Sequence, residues 1–364
     1  MHHIIMNLPF LKYALDVCYP KSGEAHSSTV FAGTRAMIYC EQILKRLKRL
    51  LFAASEHERC QEPRNTEEAD EMAASSEPSV VSQYWDEHVG DHLSSFFHWE
   101  ANEPIMAHQN VRVSGDKQVT ALNWFWRKYG PFQDVANLGT GTGILEHALC
   151  SLPDFKGRVI GYDISPHSLE IARKNCSAFP NARFEVADLN TKIWDPACFD
   201  VVTANGALHH IEALDWCLGQ IERSLRPSGL LYVNDYIGPQ RFQWSDLQMR
   251  VANELLESVP RKWISREKVA RCDPDTLIKQ DPSEAVCSHF IEDTITFHFQ
   301  IIERKPRGGT LLAPIFGSGC LDCSILNSPE GLRCLTQLAA REGELIDRGL
   351  LPADHVVIVA RKRG

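Results

Sequence analysis

The chain has 364 residues, 44% of them hydrophobic, and a formal net charge of −9. That length and apolar share support one large domain or two small ones with a real core. The acidic balance lacks the broad positive face with which proteins grip a phosphate backbone, which disfavours nucleic acid as a partner, and no run approaches the roughly 20 consecutive apolar residues of a spanning helix.

The first residues, MHHIIMNLPFLKYALD, lack the charged start and small-residue cleavage site of a secretory signal, which points to a cytoplasmic protein. Twelve cysteines scattered without regular spacing fit reduced thiols better than a disulfide framework. Residues 1–55 read as a helical extension of unknown role. In its stretch 37–54, Ile43, Leu44, Leu47, Leu50 and Leu51 share one helical face while Lys45, Arg46, Lys48 and Arg49 lie elsewhere. Such a helix packs on its own domain or a partner, or rests peripherally on an anionic membrane surface, the first being commoner. Residues 56–79 are rich in Glu, Ser and Pro and poor in large apolar side chains, the composition of a flexible acidic linker.

From residue 80 onward short β-branched runs alternate with helical periodicity, as in a parallel sheet covered by helices. A helical lead-in carries Tyr84, Trp85, His88 and Trp99. Strands are predicted at Asp134 to Leu138, Arg158 to Tyr162, Arg183 to Val186, Asp200 to Ala204 and Leu230 to Asp235, with helical segments between them. Five βα units in succession make a doubly wound sheet.

The stretch VANLGTGTG runs an apolar strand into glycines at 139, 141 and 143 before a helix beginning at Ile144, and glycine lets a backbone turn tightly and approach a ligand closely. The nicotinamide fingerprint G-x-G-x-x-G fails from either start, because Ile144 and Thr142 stand where its remaining glycines would fall. The second strand ends in Asp163, about twenty residues past the glycines, where a carboxylate can accept bonds from ribose hydroxyls. The third ends at Asp188, at the carboxyl edge where open α/β sheets bind ligands. Taken singly each acid reads as a turn or cap residue; their joint occurrence at successive strand ends suggests one ligand.

After the fourth strand come His209 and His210. The connection from Tyr236 to Asp293 is far longer than usual, and reads as a substrate-capping insert, with Tyr236, Arg241, Phe242, Trp244, Asp281 and Glu284 suited to a small polar substrate or to packing. Two strands, Thr296 to Ile302 and His355 to Ala360, flank a helix from about Pro329 to Arg348 and form a closing antiparallel pair. No metal site is expected: Cys320-x-x-Cys323 lacks a second Cys/His pair at ligand spacing.

In chain order NLGTGTG, GYDIS, ADLN, FDVVTANGALHHI and LRPSGLLYVNDY resemble the motifs of the class I S-adenosylmethionine-dependent methyltransferases, from about Val80 to Arg363. The resemblance implies an α/β, Rossmann-like, doubly wound seven-stranded sheet, mostly parallel with an antiparallel C-terminal strand, in a domain 80–364 with an insert at about 236–293. It implies transfer of a methyl group from S-adenosylmethionine to a small-molecule or sugar-like acceptor by in-line displacement. Gly139, Thr140, Gly141 and Gly143 would surround the methionine part, Asp163 the ribose, and Asp188 with the Leu189 amide the adenine, with Ile164 also at the cofactor. Asn205 would line the end of the fourth strand. Asn137 departs from the family, which usually has Asp or Glu there to hold the cofactor's ammonium group; its amide oxygen still accepts, with looser binding expected.

If the acceptor is a hydroxyl, His209 is placed to take its proton, although the family carries such a pair whatever its acceptors. Two other readings compete: an inactive methyltransferase-like scaffold and, disfavoured by Ile144 and ANGALHHI, a nucleotide-cofactor oxidoreductase. The acceptor atom and the oligomeric state are not encoded in any feature of the chain.

Overall fold

The computed structural model of the protein describes residues 79–88 and 99–363. The extension 1–55, its basic stretch 37–54 and nearly all of the linker 56–79 lie outside the described residues. Residues from Pro78 to the end form one compact unit.

Among the described residues three helices precede the sheet: α1 (Val80–Glu87), α2 (Glu103–Ser114) and α3 (Ala121–Tyr129). Helix α1 starts where Ser79 caps it, its side chain accepting from the Ser82 amide, one of the orphan donors of a helix start. There follow β1 (Asp134–Leu138), α4 (Ile144–Cys150), β2 (Arg158–Asp163), α5 (Pro166–Asn175), β3 (Ala182–Val186) and β4 (Phe199–Asn205). Next come α6 (Leu214–Ser224), β5 (Leu225–Tyr236), α7 (Asp246–Glu257), α8 (Pro274–Gln280) and α9 (Ile291–His298). The chain closes with β6 (Phe299–Gly308), α10 (Leu312–Gly317), α11 (Pro329–Asp347) and β7 (His355–Lys362).

The seven strands form one Rossmann-like sheet in the order β3-β2-β1-β4-β5-β7-β6. β1 to β5 run parallel, and β7 is antiparallel to both neighbours, β5 and β6. Central strands are buried almost throughout because helices cover both faces, whereas the edge strand β3 is largely exposed. β7 shows how the faces divide: Val356, Ile358 and Ala360 pack with Leu218 and Ile221 of α6, while Val357 and Val359 pack with Phe125 of α3 and Tyr232. This period of two is that of a pleated strand. Each such fully buried Val or Ile contributes roughly 1.5–3 kcal/mol.

Three expectations are corrected. No α-helix separates β3 from β4; the Asp188 carbonyl accepts from Thr191 and Lys192 in a tight turn instead. The strand expected from Thr296 begins at Phe299, because Ile291, Thr294 and Ile295 are buried at i, i+3 and i+4, the spacing of one helical face. The insert after β5 accordingly runs on to His298. Among the described residues no helix is long and apolar enough to cross a membrane.

Strand order reverses between β1 and β4, which opens a crevice beyond their carboxyl ends.

Candidate active site

At the tip of β1 the backbone turns at Gly139, where φ is +65° and an added Cβ would stand 2.7 Å from the Ala207 Cβ. Only glycine holds that bend and that closeness without strain. Gly143, at φ +77°, serves another purpose: its missing Cβ makes room for Ala172, letting α4 start against α5.

Gly139 and Gly141 line a cleft. The tip of β2 adds Asp163 and Ile164, and that of β3 adds Ala187, Asp188, Leu189 and Asn190. Gly206, Ala207, His210 and Ile211 close it after β4, and α1 covers it with Val81 and Trp85. The two expected acids therefore do face one cleft. Asp163 is held in place, Oδ2 accepting from the Gly141 amide at 2.7 Å and Oδ1 from the Ser165 amide at 2.9 Å. Burial pushes its carboxyl above the ordinary range, against the pull of those amides. Asp188 is held by Asn190, whose backbone and side-chain nitrogens both donate to Oδ1 at 2.9 Å.

An ionised carboxylate has about four acceptor positions, so each acid keeps capacity for a ligand's donors. Two fixed acceptors at adjacent strand tips, glycines beneath and the apolar walls of Ile164, Leu189, Ile211 and Trp85 suit an adenosyl group with its ribose hydroxyls and amino group. The residues fit S-adenosylmethionine.

Not every expected contact lies on the cleft. Asn137 and Thr140 are buried and turned inward: Asn137 Nδ2 donates to Glu146 Oε1 at 2.8 Å and to Thr140 Oγ1 at 3.1 Å, and its Oδ1 accepts from Thr203 Oγ1 at 2.9 Å. Thr140 Oγ1 in turn donates to Glu146. The amide oxygen expected to receive the cofactor's ammonium group is thus engaged by Thr203. Glu146 is fully buried behind the bend, holds Asn137 and Thr140, and is pushed up by burial. Asn205 ends β4 exposed, accepting from Asn234 Nδ2 at 2.6 Å, and Gly206 rather than Asn205 forms the wall.

After β4 a single helical turn, Leu208–His210, is built around Asp235 at the end of β5. Asp235 Oδ2 accepts from the Ala207 and Leu208 amides at 3.0 and 2.8 Å, and its Oδ1 lies 2.5 Å from His209 Nδ1. Orphan amides of the turn thereby orient the acid, and the acid orients the imidazole. Burial alone would lower His209; the Asp235 carboxylate, with Glu284 and Asp281 beyond it, outweighs burial and raises it to about 9. His210 meets Trp85 edge-on, ring centroids 5.1 Å apart, and its Nδ1 lies 3.1 Å from Ser283 Oγ.

The insert supplies Ser283, Asp281 and Glu284. Its loop is tied down by the Val286 amide, which donates to the His209 carbonyl at 3.0 Å, and by Arg241, which donates to the carbonyls of Glu284 and Pro282 at 2.7 and 2.8 Å. Glu284 is pushed up by burial. The insert's aromatics pack on one another, Tyr236 on Phe242 and Phe242 on Trp244, with centroids 4.9 and 5.4 Å apart. Tyr84 stacks on His88 at 4.4 Å, leaving Trp85 as the aromatic on the cleft.

Sequence reasoning passed over Asp235 and Asn190 as site residues, and named Trp85 only as part of the lead-in. For Asp235 a signal existed: LLYVNDY ends a strand in an acid as VIGYD does.

Residues 133–281 match the sequence model of a family described as a methyltransferase domain. The chain is similar to demethylmenaquinone methyltransferase of Chlorobaculum tepidum, 32% identical over 106 residues that cover 29% of this chain and 42% of that protein. It is also similar to malonyl-[acyl-carrier protein] O-methyltransferase of Halalkalibacterium halodurans, 30% identical over 141 residues, covering 38% of this chain and 48% of that protein. The chain thus spans less than half the length of these curated relatives. Among solved structures an S-adenosylmethionine dependent methyltransferase from Mesorhizobium loti aligns with 64% of this chain and 92% of its own, at 19% identity and a TM-score of 0.38. The segment that matches a methyltransferase domain spans β1 to β5 of the doubly wound sheet and carries the glycine bend and both acids of the cleft.

Proposed function

We propose that the protein transfers a methyl group to a hydroxyl of a small polar molecule, with His209 in its neutral form as the general base, so that turnover rises with pH toward about 9. The observation that carries this reading is the Asp235–His209 pair beside the adenosyl cleft, with His209 Nδ1 committed to Asp235 and Nε2 directed away from it toward the insert. The cofactor supplies a methyl group on a sulfonium, open to in-line displacement. The chain's part is to align the acceptor, exclude water and take a proton. Asp163, Ile164, Asp188 and Leu189 would hold the adenosyl moiety and the bend at Gly139 to Gly141 the methionine part, while Glu146 fixes Thr140 and Asn137 behind that bend. The insert would roof the acceptor site, Asp281 and Glu284 giving it polar walls.

The names of two relatives, a demethylmenaquinone methyltransferase and a malonyl-[acyl-carrier protein] O-methyltransferase, are compatible with an organic methyl acceptor. A cytoplasmic setting belongs to this reading.

The test is a labelled-methyl transfer screen against cell extract with wild type and His209→Asn. Loss of a positioned base costs about 10²–10⁴-fold in turnover, with cofactor affinity held. Equal turnover by the variant would remove the base. Cofactor binding without transfer to any acceptor would favour a scaffold.

A further inference from the structure

We propose that His209, His210 and Glu284 form a zinc-class transition-metal site at the mouth of the cleft. Their ligand atoms lie within 4.8 Å of one another. The sequence brings the two histidines together, and the insert carries in the carboxylate.

Three features of the cluster point to a metal. First, His209 Nε2 and Glu284 Oε1 are 3.5 Å apart, too long for a sound hydrogen bond but close to the edge of a tetrahedron whose metal bonds are about 2.0–2.2 Å. Second, Asp235 holds His209 by Nδ1, the carboxylate–histidine arrangement that fixes the tautomer and directs Nε2 to a metal. Third, Asp281 is 3% exposed and its Oδ2 accepts no hydrogen bond among the described residues, although it lies 3.7 Å from His210 Nδ1. That buried acceptor serves as an outer partner for His210 or as a fourth ligand.

Two imidazoles and a carboxylate, with a position left for water or a ligand, form the donor set of open zinc sites. Metal and proton would share one lone pair, His209 Nε2. Occupation by zinc therefore withdraws His209 from proton transfer, and this consequence alone rests on the function proposed above.

The test is calorimetric titration of the metal-stripped 364-residue chain with zinc chloride, paired with cobalt(II) absorption to report the geometry. Wild type should bind in one saturable step, with intense cobalt bands of a four-coordinate site. His210→Ala and Glu284→Gln should each weaken binding at least tenfold, and Asp235→Asn about 10–100-fold through the outer shell. Circular dichroism checks that each variant is folded. No saturable binding by wild type would overturn the proposal; so would equal binding by folded His210→Ala and Glu284→Gln, which would place the metal on thiols such as the exposed Cys323. A parallel titration with S-adenosylmethionine keeps the two readings apart: zinc binding without it defeats the cofactor reading alone, and the reverse defeats the metal site alone.

Discussion

Asp163 binds backbone amides and also lines the cleft, where the proposed function has it meet the cofactor. Its carboxylate accepts from the Gly141 and Ser165 amides while facing the cleft, so Asp163→Ala should cost cofactor affinity on the order of 1.5–3 kcal/mol, as for a lost charged hydrogen bond. Calorimetric Kd values for the two proteins decide it, and equal values would refute the ribose assignment. Asp354 offers a second test at this scale. Burial, with Glu342 nearby, raises its carboxyl to about 8, although Gln248 donates to Oδ2 at 2.9 Å. A raised acid keeps its proton in the native state after the unfolded chain has lost it. Its contribution is therefore intact below the unfolded value of 3.8 and is lost as pH rises toward 8, by up to about 1.4 kcal/mol per pH unit. Asp354→Asn keeps an acceptor for Gln248 and removes the ionisation. Urea melts from pH 4 to 8 should show the variant gaining on wild type as pH rises, and a constant difference would contradict the assignment.

Among elements, the β1 tip is the least tolerant. Gly139→Ala places a side chain at φ +65° and 2.7 Å from Ala207, costing at least about 1–2 kcal/mol for the left-handed backbone alone. Thermal unfolding should fall by about 2–4 °C for each kcal/mol lost, and cofactor affinity should fall with it. Gly141→Ala is a useful contrast: φ is +53° but nothing lies within 4 Å of the added Cβ, so strain without a clash predicts the smaller loss of stability.

At the scale of the whole molecule the cleft is assembled from four strand tips and α1, so a ligand there favours the native state over the unfolded chain. S-adenosylmethionine at 100 times its Kd should add about 2.7 kcal/mol of apparent stability, read as a concentration-dependent rise in Tm. No rise at any concentration would count against binding. Substitution of Cys323, which is exposed on a 3-10 turn away from the cleft, should leave that rise unchanged.

Much of this architecture was readable because it is local. Apolar runs of strand length marked β1, β2, β4 and β5, a bare bend followed β1, and acids stood at the next two tips; each is a pattern of neighbours in the chain. What escaped depends on partners far apart in sequence. Whether Asn137 faces ligand or core was decided by Glu146 and Thr203, and whether residues 296–298 continue a strand was decided by the surface against which Ile291 and Ile295 pack. The amino-acid order alone determined a doubly wound sheet with a glycine bend and two acids at successive strand tips. Only the tertiary structure put β7 between β5 and β6 and set Asp235 and Glu284 on either side of His209, because those contacts join segments more than 25 residues apart in the chain and leave no periodic trace in either one.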